Sequence, residues 1–99
     1  MNVSTTNIDG LLIIKPTIYG DERGHFFESY REDSLKSHGI TSNFVQDNQS
    51  LSSKGILRGL HFQREPYSQG KLVRVIKGSV LDVAVDIRHK SPTYGHHFS

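Results

Sequence analysis

Lys71-Leu72-Val73-Arg74-Val75-Ile76-Lys77-Gly78-Ser79-Val80-Leu81-Asp82-Val83-Ala84-Val85-Asp86-Ile87-Arg88 consists of two apolar, largely β-branched runs around a Gly-Ser pair. Branched side chains fit a pleated surface and Gly-Ser suits a reversal, so the stretch predicts two strands joined by a tight turn. Leu72, Val73, Val75, Ile76, Val83, Val85 and Ile87 are the expected core. Asp82 and Asp86 share a face with Val80, Ala84 and Arg88. They are expected as a buried acidic pair or as a solvent face on which Arg88 neutralises one carboxylate, with a structural role favoured.

Towards the N-terminus, Ile56-Leu57-Arg58-Gly59-Leu60-His61-Phe62-Gln63 alternates. A two-residue period sets Leu57, Gly59, His61 and Gln63 on one face and Arg58, Leu60 and Phe62 on the other, so His61 is expected on a strand. A strand is also expected to begin at Phe44 and turn polar by Ser50, with Ser50 to Gly55 as a turn-rich link. Arg31 to Gly39 has the only good helical composition, with Asp33 or Ser34 as N-cap and Gly39 at the far end. Before it, Tyr19 to Gly24 reads as a turn and His25 to Tyr30 as an aromatic strand. Leu11 to Ile14, followed by Pro16, reads as a first strand near an edge. After Pro92 a turn should lead into another strand, so the sheet reads as unfinished. About six short strands and one short helix indicate an all-β sandwich or barrel, and the lack of crossover helices excludes a parallel α/β fold.

With 99 residues, 34% of them hydrophobic, there is room for one domain with a lean core and none for a second. Cys is absent, which removes disulfides, thiolate nucleophiles and Cys-ligated zinc and is compatible with a reducing cytosol. No stretch approaches the roughly 20 apolar residues of a membrane span, and Met1 to Gly10 lacks the regions of a signal peptide, so a cytoplasmic protein is expected. The net charge of +2 gives no argument for nucleic acid. Residues 1–50 carry four basic against seven acidic side chains and residues 51–99 eight against three, so the second half is where an anionic ligand is expected.

Five blocks carry a family resemblance: Asp21 to Glu28, Val45 to Ser50, Leu57 to Gln63, Gln69 to Val73, and Asp82 to Arg88 with Ser91-Pro92-Thr93-Tyr94-Gly95. In this order they resemble the dTDP-4-dehydrorhamnose 3,5-epimerases of the cupin superfamily. The resemblance covers nearly the whole chain but only about the N-terminal half of a typical family member. It implies an all-β, antiparallel cupin jelly-roll β-sandwich cut short, with one short helix, and residues 1–99 as a single partial domain. The implied activity is inversion of C3 and C5 of dTDP-4-dehydro-6-deoxy-glucose through enolates, in dTDP-rhamnose biosynthesis.

Inverting a carbon next to a ketone requires a base, a group that holds the enolate oxygen, and an acid that returns a proton on the other face. His61 is the candidate base, since imidazole titrates near neutrality and a partner can orient one ring nitrogen while the other abstracts. Lys71 is the candidate enolate stabiliser, because a cation at the oxygen where charge develops favours the transition state over the bound ketone. The resemblance implies these same roles. It places the acid, a tyrosine, and the aspartate that assists the histidine beyond residue 99; none of Tyr19, Tyr30, Tyr67 and Tyr94 matches the acid's position. It further implies Arg58 on the diphosphate, although a regular pleat turns Arg58 away from His61. Arg23 and Glu28 are implied as nucleotide and sugar contacts, Phe26 as a wall on which the base stacks, and Gln46, Asp47 and Asn48 as a polar strand end lining the sugar.

No metal or organic cofactor is expected. Gly55, His61 and Gln63 resemble the start of the cupin metal motif, but Gln63 stands where a second His belongs and no Glu follows at the usual spacing. His96 and His97, adjacent on a strand, would face opposite ways. The resemblance implies a homodimer formed by strand exchange, in which the N-terminal part of one subunit carries Arg23 and Glu28 toward the other's site. Two alternatives stay open. One is a related nucleotide-sugar cupin, either a single-carbon epimerase or a ketoisomerase; the other is a catalytically inactive binding or dimerisation module.

Overall fold

The computed structural model describes residues 1–99. The chain contains six short strands and one helix: β1 (Asn2–Thr5), β2 (Leu12–Lys15), β3 (Ile18–Asp21), β4 (Gly24–Phe27), α1 (Glu32–Ser37), β5 (Ala84–Val85) and β6 (His97–Phe98). The strands form three antiparallel pairs, β1 with β2, β3 with β4, and β5 with β6. The chain divides into two compact units, one made of Met1–Thr41 with Lys77–Ser99 and the other of Ser42–Ile76.

All the regular structure lies in the first unit. Register Val3 to Ile14 and Thr5 to Leu12 sets the half-buried Val3, Leu12 and Ile14 on one face of the first pair. The intervening turn is tied by Thr6, whose hydroxyl lies 3.1 Å from the Ile8 carbonyl and 3.0 Å from that of Leu11, and accepts the Ile8 N–H at 3.1 Å. This turn carries Ile8 into the interior, where it is buried.

Helix α1 starts after Arg31, an extended residue that makes no side-chain cap, and Asp33 and Ser34 lie inside the helix, not at its cap. Acidic Glu32 and Asp33 in the first turn complement the helix dipole instead. The helix ends as expected on glycine. Gly39 has φ +83° and its N–H donates to the Lys36 carbonyl at 3.0 Å, while Ile40 N–H donates to that of Leu35 at 3.0 Å. This is a Schellman closure, which needs the left-handed conformation that glycine adopts without a Cβ penalty. Leu35 is buried from this helix.

The β5–β6 pair is closed by the loop 86–96, organised around Asp86. The Asp86 carboxylate, 1% exposed, accepts from Ser91 Oγ at 2.5 Å, Thr93 Oγ1 at 2.7 Å, Arg88 Nε at 2.9 Å and Arg88 Nη2 at 3.0 Å. Its backbone N–H donates to the His96 carbonyl at 2.9 Å, and its carbonyl accepts from Gly95 N–H at 2.7 Å. Of the two readings of Asp82 and Asp86, neutralisation of one carboxylate by Arg88 is realised, and it is realised at a buried Asp86.

Several expectations are corrected. No strand forms over 44–50, 56–63 or 71–76, and only Ala84–Val85 pairs from the run 80–87, so His61 does not project from a strand. Alternation is a property of one chain, whereas a strand also needs a second backbone for its N–H and C=O groups, and residues 42–76 have no such ladder. The expected core is likewise open, with Leu72, Val73, Val75, Ile76, Val83 and Ile87 all at least 39% exposed and only Val85 half-buried. Two strands arise where none was expected. Asn2–Thr5 has a polar sequence, and Ile18–Asp21 lies largely within the stretch read as a turn, which shrinks to Glu22-Arg23.

Candidate functional site

In the second unit, His61, Phe62, Gln63, Ser68, Gln69 and Lys71 line one hollow of about 610 Å³. The chain reverses between its two sides at Arg64 to Tyr67, where Tyr67 N–H donates to the Arg64 carbonyl at 2.8 Å. Ser68 Oγ then donates to Glu65 Oε1 at 2.6 Å and fixes the exit of the turn. This reversal puts His61 and Lys71, ten positions apart in sequence, in the lining of one hollow. Such a pair can remove a proton next to a carbonyl and balance the charge that develops on its oxygen.

Arg58 is not part of this hollow. Its Nε donates to Ser52 Oγ at 3.0 Å, and Gly59 beside it has φ +135°. A pleat cannot run regularly through that glycine, so the alternation expected over 56–63 is lost and Phe62 lines the hollow together with His61. Gln46, Asp47 and Asn48 are exposed on the irregular segment 42–50 and lie outside the hollow lining. No group of three or more His, Asp or Glu side chains is arranged to hold a metal.

In the first unit, the β3–β4 hairpin shapes a second hollow of about 460 Å³ lined by Tyr19, Gly20, Asp21, Arg23, Gly24, His25 and Phe26. Asp21 opposes Gly24 across the two-residue loop Glu22-Arg23, and Gly24 has φ +136°. The ring of His25 stacks on that of Phe27 at 5.9 Å between centroids. Arg23 and Phe26 are thus brought together, whereas Glu28, just past β4, is exposed and outside the lining. Hydrogen bonds from the Arg23 guanidinium and backbone hold the Asp21 carboxyl below the usual carboxylate range, and Asp21 in turn raises Arg23.

Sequence reasoning assigned no role to Phe62, Gln63, Ser68 and Gln69 in one hollow or to Tyr19, Asp21 and His25 in the other. Asp21, His25, Phe62, Gln63 and Gln69 stand in the recognised blocks without an assigned role. Asp21 had an available signal in the recurrence of Asp-x-Arg at Asp21-Glu22-Arg23 and Asp86-Ile87-Arg88.

Comparison with known proteins is consistent across sequence and structure. The chain is 57% identical over 90 residues to the dTDP-4-dehydrorhamnose 3,5-epimerase of Methanothermobacter thermautotrophicus, covering 91% of this chain and 48% of that protein. It is 56% identical over 96 residues to the enzyme of the same name from Shigella flexneri, covering 96% and 53%. A crystal structure of the Bacillus anthracis dTDP-4-dehydrorhamnose 3,5-epimerase, with TDP and PPi bound, superposes with a TM-score of 0.93 at 44% identity and covers 98% of this chain and 56% of that one. The chain therefore spans about half the length of the relatives it matches, and its fold is the antiparallel cupin type of those enzymes. The profile of the family described as dTDP-4-dehydrorhamnose 3,5-epimerase matches residues 5–99, and with relatives at this identity over nearly every residue, the chain belongs to that family.

Proposed function

We propose that the chain serves the 3,5-epimerisation of dTDP-4-dehydro-6-deoxy-glucose, with His61 abstracting the protons at C3 and C5 and Lys71 holding the enolate oxygen. The observation that carries this reading is the single hollow shared by His61 and Lys71 in a chain of the epimerase family. A lysine at that oxygen is most effective where charge appears only on deprotonation, since its attraction then favours the transition state over the ground state.

In the same reading Arg23 and Arg58 contact the diphosphate, for which a guanidinium fork is well suited. Phe26 stacks on the base, and Glu28, Gln46, Asp47 and Asn48 face the sugar. The TDP and PPi in the Bacillus anthracis relative support a nucleotide-linked substrate. The 99 residues act as one partial cupin domain within a homodimer. The exposed Leu72, Val73, Val75 and Val83 support such an association, because apolar surface of this extent gains free energy when covered. No helix is long and apolar enough to cross a membrane, and a cytoplasmic setting is part of the same proposal.

Incubation with dTDP-4-dehydro-6-deoxy-glucose, followed by NMR assignment of the configuration at C3 and C5, tests the reading. Inversion at both carbons, lost in His61→Ala, is expected. Inversion at one carbon alone, or migration of the carbonyl, would assign the chain to a single-carbon epimerase or a ketoisomerase. Because the chain spans half the length of its relatives, a second reading is a non-catalytic binding module; a folded protein that binds the sugar nucleotide without inverting it is the result that favours this.

A further inference from the structure

At the tip of the β3–β4 hairpin one carboxylate organises one arginine. Asp21 Oδ1 accepts the Arg23 backbone N–H at 2.9 Å and Arg23 Nε at 3.3 Å, while Oδ2 accepts Nε at 3.2 Å and Nη2 at 2.6 Å. The same local fork recurs at Asp86, which accepts Arg88 N–H at 3.1 Å, Nε at 2.9 Å and Nη2 at 3.0 Å. Their surroundings differ. Asp86 is buried and also holds Ser91 and Thr93, so its fork closes a loop. Asp21 has no such additional partners and the Arg23 side chain remains 86% exposed.

A carboxylate bound side-on occupies the Nε and Nη2 edge of a guanidinium and leaves Nη1 with the second Nη2 proton as a free planar donor edge. We propose that Asp21 is a positioning residue that holds Arg23 by one edge and presents the other to a phosphate of a nucleoside diphosphate. The proposal rests on the reading of Arg23 as a diphosphate contact. An exposed ion pair adds little to stability, so the fork acts by ordering a long, rotamer-rich side chain before the ligand arrives. That ordering is worth roughly two- to tenfold in affinity.

The sign of the effect discriminates. Asp21 is a negative charge beside an anion site, so its removal should tighten anion binding by Coulomb attraction alone. Only a positioning role makes binding weaker. Asp21→Asn retains an oxygen for the Arg23 N–H and preserves the turn, but loses the ionic fork. Arg23→Lys keeps the charge and has no fork.

The test follows the Arg23 Nε–H resonance by NMR in the wild type and in Asp21→Asn, and titrates both, with Arg23→Lys and Arg23→Ala, using dTDP and inorganic diphosphate. Expected are an ordered Nε–H in the wild type that is averaged in Asp21→Asn, and roughly two- to tenfold weaker binding in Asp21→Asn and Arg23→Lys. A mobile Arg23 Nε–H in the wild type overturns the proposal, as does unchanged or tighter binding by Asp21→Asn when Arg23→Ala has lost affinity. A wild type that binds neither probe, or an Arg23→Ala that binds as well as the wild type, overturns the underlying reading of Arg23 and the positioning role with it.

Discussion

Truncating Leu35 to alanine removes three carbons from a side chain that is 3% exposed, one of only two buried apolar residues in the chain. At about 0.8 kcal/mol per buried carbon the lost transfer energy is about 2.4 kcal/mol, and the cavity left behind raises the total into the range of about 2–5 kcal/mol. A domain of this size has a total stability of about 5–15 kcal/mol, and so few buried apolar side chains place this chain at the low end. The substitution should therefore consume half or more of the available stability, with α1 the first element to lose its anchor. Urea unfolding followed by far-UV circular dichroism measures it, with Leu51→Ala, at a site 95% exposed, as the control. Leu51→Ala is expected within about 0.5 kcal/mol of wild type. A loss at Leu35 no larger than at Leu51 would refute the assignment of Leu35 to the interior.

Three further outcomes are expected. Hydrogen bonds from Arg88, Ser91 and Thr93 hold the Asp86 carboxyl far below its ordinary value of 3.8, so its stabilising contribution is full above that value and is lost as the pH falls below it. Thermal melts from pH 7 downward should show a steeper acid decline in the wild type than in Asp86→Asn, whose melting point is lower throughout. Gly39→Ala forces a Cβ into the left-handed region at φ +83° and should cost about 1–2 kcal/mol in the same urea assay. Lys71→Met should lower the rate of epimerisation by about 10²–10³ with the amide NMR spectrum unchanged, the magnitude expected when one oxyanion donor is lost.

The elements legible in the sequence were those whose cause is local. Apolar Leu12 to Ile14 before Pro16, aromatic Phe26-Phe27 after a glycine turn, and the helix closed by Gly39 each carry their own signal and form where expected. Residues 56–63 and 71–76 carry an equally clear β pattern, yet a strand there needs a partner backbone, which alternation does not specify. Asn2–Thr5 shows the reverse: its polar sequence signals nothing, and pairing with β2 makes it a strand. For the site, composition and spacing marked His61 and Lys71 only as possibilities. Their meeting depends on the reversal at 64–67, which neither residue encodes. Family likeness alone assigns Arg58 to the diphosphate; in this chain the pleat breaks at Gly59 and the Arg58 guanidinium engages Ser52. The Asp21 fork is marked in the sequence only by Asp-x-Arg, and what separates it from the fork at Asp86 is the exposure of the arginine it holds.

If His61 removes protons from the carbons flanking the keto group, deuterium from the solvent replaces them. NMR of dTDP-4-dehydro-6-deoxy-glucose with this chain in deuterated buffer, following the C3 and C5 proton signals beside a His61→Ala control, tests it most directly. Loss of both signals with the wild type, at a rate well above the control, is the expected result. Retention of both by a protein shown to be folded, or equal loss with His61→Ala, would contradict it.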